Sequence, residues 1–171
     1  MRFFVILLVA AIATSVFGFF GIAGAAEKTV ISWVERALIQ PGNFEIHAKI
    51  DTGAKTSSLN APNLKIVERD GAEWAMFEVT NRAGVTQRFE EKIFRIAKIR
   101  RHGNRYQKRP VIMLGVCVGS FYKVTQVNLI DRKNFNYQML IGRRFMEKHL
   151  IVDPGRTFIA KPKCDVEAKT K

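Results

Sequence analysis

Short runs of alternating apolar and polar residues, parted by turn residues, recur along the chain and limit what it can fold into. Phe44-Glu45-Ile46-His47-Ala48-Lys49-Ile50 is the clearest run. Period two marks a strand with one buried face, and Pro41-Gly42 places a turn just before it. Residues 63–68 repeat the pattern with Leu64 and Ile66, and Asp70-Gly71 is a hairpin signal. Residues 74–80 follow, with Trp74, Met76 and Glu78 on one side, and then a turn at residues 81–84. Residues 85–89 lead into 93–99, and Pro110 marks the start of the next strand. Residues 111–118, 121–130 and 137–141 complete the series, with Gly119-Ser120 between the first two. Helical spacing occurs once, over residues 143–150 after Gly142, with Phe145, Met146 and Leu150 on one side. Asp153-Pro154-Gly155 is a turn, and residues 157–160 are a candidate last strand. Evenly spaced short strands with one short helix near the C-terminus read as a mostly β barrel or sandwich.

The first 26 residues stand apart. Residues 3–26 carry no charge, Arg2 precedes them, and Ala23-Gly24-Ala25-Ala26 offers small residues at signal-cleavage spacing. A secretory signal peptide is the plainest reading. An uncleaved anchor is the alternative, because about 20 apolar residues can span a bilayer core. Either way the remainder is expected to be exported, as a soluble periplasmic protein after cleavage or as an inner-membrane-anchored one. The domain organisation expected is therefore a signal or anchor over residues 1–26, one domain over 27–160, and a basic, disordered tail over 161–171.

The 171-residue chain carries 28 Lys and Arg against 15 Asp and Glu, a formal charge of +13. Such an excess points to an acidic partner. Export removes nucleic acid from the candidates and leaves acidic peptides or an anionic membrane or envelope surface. Five of the cations (Arg100, Arg101, Arg105, Lys108 and Arg109) fall within residues 100–109, a segment without an acid. It reads as an exposed loop or hairpin tip, either a solvated face or a clamp for carboxylates through Arg101 and Arg105. Two cysteines are too few for a disulfide scaffold. Cys117 lies in an apolar run and reads as a buried thiol; export permits a Cys117–Cys164 disulfide instead.

Ile50-Asp51-Thr52-Gly53-Ala54 closes the best strand in the chain. A strand that delivers a carboxylate into a tight turn, beside a glycine that permits close backbone approach, is the way aspartic proteases hold their acid. Thr52 offers a hydroxyl that can bond across a twofold axis. Two such carboxylates about 3 Å apart share one proton, one acting as base on water and the other as acid to the scissile carbonyl. The plainer use of Asp51 is as a turn or helix-capping residue ahead of Thr56, Ser57 and Ser58.

A second segment weighs against that plainer use. Leu140-Ile141-Gly142-Arg143-Arg144-Phe145-Met146 is an apolar strand, a glycine and a short helix. Together with Asp51-Thr52-Gly53-Ala54 it resembles the retropepsins, single-domain aspartic proteases in which an apolar-apolar-Gly segment packs around the active-site loop. Residues 49–61, 109–112, 128–132 and 140–146 look like the retropepsin-like branch often labelled as ATP-dependent zinc proteases. The resemblance covers about residues 30–160 and implies a retropepsin-like closed barrel. Some members of that branch are linked to enzymes that ligate glutamates, which implies acidic peptides as substrates. The zinc and ATP of the label find no residues here. There is no His-Glu-x-x-His segment and no Gly-x-x-x-x-Gly-Lys loop, and His47, His102 and His149 lie far apart in the sequence. No metal or cofactor is expected.

The resemblance assigns Asp51 as the catalytic acid, Thr52 and Gly53 as its positioning residues and Ala54 as part of the substrate-facing loop. Asp131 and Asp153 are the remaining carboxylate candidates, each with a simpler reading as a turn residue. There is one Asp-Thr-Gly, and 171 residues less 26 leaves 145, too few for a two-lobed enzyme. An aspartic endopeptidase of this kind is expected to be a homodimer with Asp51 from each chain on the axis. A non-catalytic periplasmic binding or scaffold protein of the same fold, holding an anionic ligand, is the alternative. A hairpin between residues 64 and 109 is expected to serve as the flap, with Asp70-Gly71 and residues 101–105 as the two options.

Overall fold

The computed structural model describes residues 27–100, 103, 105–131 and 135–164. Eleven strands and one helical turn follow in order. They are β1 (Thr29–Ser32), β2 (Val34–Ile39), β3 (Phe44–Ile50), β4 (Ser57–Asn60), β5 (Lys65–Arg69), β6 (Ala72–Thr80), β7 (Thr86–Arg100), β8 (Tyr106–Val118), β9 (Phe121–Ile130), β10 (Met139–Ile141), α1 (Arg143–Met146) and β11 (Leu150–Asp153). The order β2-β3-β10-β4-β9-β8 closes on itself through β2–β8 pairing, giving a six-stranded barrel. Closure removes the exposed edges that an open sheet of this size would present. Strands β7, β6 and β5 continue from β8 as an antiparallel extension. Strand β1 pairs in parallel with β11 in a separate two-stranded sheet.

The alternation read in β3 is realised. Phe44, Ile46, Ala48 and Ile50 are buried, and Glu45 and Lys49 face solvent. The core they enter is completed by Leu59, Ile112, Leu114, Val116, Met139 and Phe145, with the Phe121 ring edge-on to Phe145 at 5.3 Å. Asp70 and Gly71 both take positive φ (51° and 68°) between the paired Arg69 and Ala72. That is the backbone a two-residue hairpin loop requires.

In β6, Trp74, Met76 and Glu78 share one side as read, and the buried side is Ala75, Phe77 and Val79. Several expectations are corrected. Pro110 lies inside β8, buried and paired with Ile96. The β9 ladder ends at Val111, so Pro110 sits where β8 has one neighbour, a position that tolerates a missing N–H. The helix stops at Met146; Lys148 turns to φ 71° and Leu150 reaches the core from β11. Residues 157–160 form no strand, yet the Phe158 amide bonds the Val34 carbonyl (2.8 Å). Cys117 is buried as expected but is bonded to Cys164 rather than free. With the Lys163 amide donating to the Gly119 carbonyl (2.7 Å), residues 161–164 are tied down and not disordered. Residues 165–171 lie outside the described residues.

Candidate active site

The chemistry expected of this chain converges on the loop that leaves β3. Strand β3 is pinned between β2 and β10, and Ile50 pairs with Ile141 in the last rung of the parallel β3–β10 ladder. The Asp51 amide then donates to the Ile141 carbonyl (2.9 Å), so the loop begins at a fixed point. The Asp51 Oδ1 accepts two backbone amides, from Gly53 (2.9 Å) and Ala54 (3.1 Å). These are the bonds by which a carboxylate shapes its own turn. A Cβ on Gly53 would stand 3.1 Å from that oxygen. Asp51 is half-buried, Thr52 and Gly53 are exposed, and Ala54 is half-buried.

The segment after β10 locks this loop from beneath. A Cβ on Gly142 would lie 2.7 Å from the Thr56 carbonyl carbon and oxygen and 2.9 Å from its nitrogen. Backbone meets backbone there, so only glycine fits. The Gly142 amide donates to Ser57 Oγ (3.2 Å), the Arg143 amide to the Ala54 carbonyl (2.9 Å) and the Arg144 amide to the Lys55 carbonyl (3.2 Å). The Arg143 guanidinium reaches across the loop, and its Nη1 donates to the carbonyls of Thr52 (2.7 Å) and Gly53 (2.9 Å). Charge-assisted bonds of this sort are about twice as strong as neutral ones.

A third layer comes from β8 and β9. Buried Asn128 donates from Nδ2 to the Ser57 carbonyl (2.6 Å), and its Oδ1 accepts from Arg109 (3.0 Å). Arg109 also holds Gln107 Oε1 (3.1 and 2.9 Å). The β7–β8 hairpin is thereby linked through Asn128 to the strand that follows the Asp51 loop. Its residues Ile96, Lys98 and Arg100 pair with Pro110, Lys108 and Tyr106, in continuation of the core-facing side of β8. Lys98 stands directly opposite Lys108.

Arg105 is exposed just ahead of β8, and Arg101 lies outside the described residues. Arg105 makes no hydrogen bond or ion pair with Asp51. Asp131 is exposed at the end of β9. Asp153 accepts from Arg156 (2.6 Å) and from the Gly155 amide (2.8 Å), and these bonds hold its carboxyl below the usual range, the Arg156 bond first. His47 packs at a tilt against Phe158 (4.7 Å) and His149 stacks on Phe121 (4.5 Å). Burial and the cations Arg82 and Arg36 hold the His47 imidazole below its ordinary value. His102 lies outside the described residues.

Sequence reasoning missed Ser57, Asn128 and Glu35. Glu35 is fully buried and accepts from the Ser32 amide and hydroxyl (2.8 and 2.7 Å) and from the Ala160 amide (3.2 Å). An acid inside the mostly apolar run of residues 30–39, which also holds Ser32 and Arg36, was the available signal.

Residues 30–163 match the RimB-like family, described as retropepsin-like aspartic endopeptidase RimB. The chain belongs to the RimB-like family. Its Asp51 loop, Gly142 and Arg143 thus stand in a retropepsin-like frame. Among curated relatives, the probable alpha-L-glutamate ligase of Shewanella halifaxensis is 32% identical over 127 residues, 72% of this chain and 28% of the ligase. That of Desulfotalea psychrophila is 33% identical over 114 residues, 64% of this chain and 24% of the ligase. The RimB-like chain therefore spans about a quarter of the length of the ligases it matches. A protein of unknown function from Legionella pneumophila has a solved structure that superposes with a TM-score of 0.66 at 33% identity. The match covers 79% of this chain and all of that one.

Proposed function

We propose that the chain is an exported, homodimeric aspartic endopeptidase that hydrolyses acidic peptides. The observation that carries this reading is the Asp51 loop, a carboxylate at a strand end in a turn fixed by its own amides, Gly142 and Arg143. In a dimer, two Asp51 carboxylates would meet about 3 Å apart and share one proton. The ionised partner removes a proton from water, whose oxygen bonds to the scissile carbonyl carbon. The protonated partner donates to the carbonyl oxygen as it gains charge. Proton transfer to the amide nitrogen then lets the carbon–nitrogen bond break, giving a carboxyl and an amine. The loop amides occupy Oδ1, so Oδ2 is the oxygen assigned to this work.

Several features support the rest of the reading. The β1–β11 sheet pairs Val30 with Ile151, each about half exposed (46% and 50%), and these suit contact with a second chain. The Cys117–Cys164 disulfide suits an oxidising compartment. The β7–β8 hairpin, tied to Ser57 through Asn128, is the flap in this reading, in preference to β5–β6. Its Lys98–Lys108 pair, beside Arg100 and Arg105, favours carboxylate-bearing substrates. Relatives named as glutamate ligases point to glutamate-rich chains.

The same cationic hairpin favours a second reading, a binding protein that holds acidic chains without cutting them. Replacement D51N separates the two. Cleavage of a glutamate-rich peptide, followed from acidic to neutral pH, should fall on the order of a thousandfold or more, with unfolding midpoint and dimer mass unchanged. Peptide binding by the wild-type chain without cleavage at any pH would leave the binding protein.

A further inference from the structure

A groove of about 640 Å³ runs along the outside of the barrel between β9, α1 and the end of the Asp51 loop. Four cations line it (Lys55, Lys123, Arg143 and Arg144) against one acid, Glu147. Among its lining residues, beside Thr125 and Gln126, two apolar side chains face water, Met113 40% and Val124 51% exposed. Met113 also borders the next cavity along the sheet, where Phe94 is 56% exposed beside Lys92 and Glu91. Exposed apolar side chains in a row, rimmed by Lys and Arg, are more than a free anion or an acidic strand requires. They match a surface that offers negative headgroups above hydrocarbon. The first described residues emerge at this end, since the Thr29 amide bonds the His149 carbonyl (2.9 Å), two residues beyond Glu147.

We propose that this face docks on an anionic phospholipid bilayer, the cations meeting headgroup phosphates while Phe94, Met113 and Val124 enter the headgroup–acyl boundary. This docking is independent of Asp51 and of any cleavage.

Vesicle co-sedimentation at 0.1 M salt tests it. The full chain is used, and in parallel residues 27–171, which include the family match over residues 30–163. Residues 27–171 should partition at least tenfold better onto vesicles of phosphatidylglycerol with phosphatidylcholine than onto phosphatidylcholine alone. The double replacement K55E/R144E should lower that partition at least about 25-fold, at about fivefold for loss of each cation near an anionic surface and more for its reversal, and raised salt should weaken it. M113S/V124S, which leaves every charge in place, should lower it severalfold, so the idea does not depend on one variant folding. Four results would overturn it: equal partition onto both vesicles, unchanged partition in both folded variants, release by millimolar glycerol phosphate, or no vesicle binding alongside tight binding of an acidic peptide.

Discussion

Around Asp51, the amide of Asp51 and the carbonyls of Thr52, Gly53, Ala54, Lys55 and Ser57 have partners on β10, α1 or β9. The β7–β8 hairpin beyond Ile96, in contrast, is held by its strand pairing and sets Lys98 against Lys108. The loop follows every local rule: a glycine where backbones touch, a cation on paired carbonyls, a carboxylate satisfied by amides. The hairpin breaks one, because like charges directly opposite on neighbouring strands are destabilising. Local violations that a fold retains tend to mark where it works on something else. In the proposed function, the loop then supplies geometry and the hairpin selection.

The largest expected effect falls on the loop. G142A would force a methyl to within 2.7 Å of the Thr56 backbone, and backbone cannot rotate away as a side chain does. Destabilisation of about 3 kcal/mol is expected, read by denaturant unfolding. A loss below about 1 kcal/mol would mean that the loop tolerates displacement and that its rigidity is not the basis of the contrast.

R143M comes next. It removes two bonds to the Thr52 and Gly53 carbonyls while keeping much of the side-chain stem. Because Arg143 is exposed, the expected stability cost is modest, about 1–2 kcal/mol. If the loop positions Asp51, the turnover number should fall 10- to 100-fold with little change in KM, since misplacement of a reacting group is costly even at a distance. An equal fall from the lysine variant, which keeps the charge but not the fork, would show that shape and not charge holds the loop.

The loop was legible in the sequence because its determinants are local or come as a short motif. The alternation of β3 ends at Asp51, and Leu140-Ile141-Gly142-Arg143 carries both the glycine and the arginine that lock it. Strands β1 and β2 were not legible. Val34 and Glu35 are buried in succession, so no period-two signal exists, and the carboxylate of Glu35 is satisfied by Ala160, 125 residues away. The helix was read too long for a related reason. Leu150 keeps helical spacing with Met146, but the turn at Lys148 sends it to the core along β11 instead. Asn128 and Ser57 meet across 71 residues, and a polar pair of that separation leaves no trace in local pattern. The hairpin was half legible: its charge was plain, but its strands run through Pro110 and up to Arg100, so the tip is shorter than the basic run.

The smallest effect should come from the hairpin, and its sign makes it informative. K98E places an acid opposite Lys108 and converts a repulsive cross-strand pair into an attractive one. Pairs of this kind contribute about 0.2–1 kcal/mol, so the variant should be slightly more stable than the natural chain by thermal unfolding. Binding or cleavage of a glutamate-rich peptide should fall, with a neutral peptide of equal length affected little or gained. A gain in stability with a loss of acidic-peptide selectivity is the signature of a residue kept for its ligand at the expense of the fold. If stability rises and selectivity is unmoved, the two lysines face solvent rather than substrate, and selection belongs to another part of the surface. If stability falls instead, Lys98 has a structural partner that its strand register does not reveal, and the hairpin is no less rule-bound than the loop.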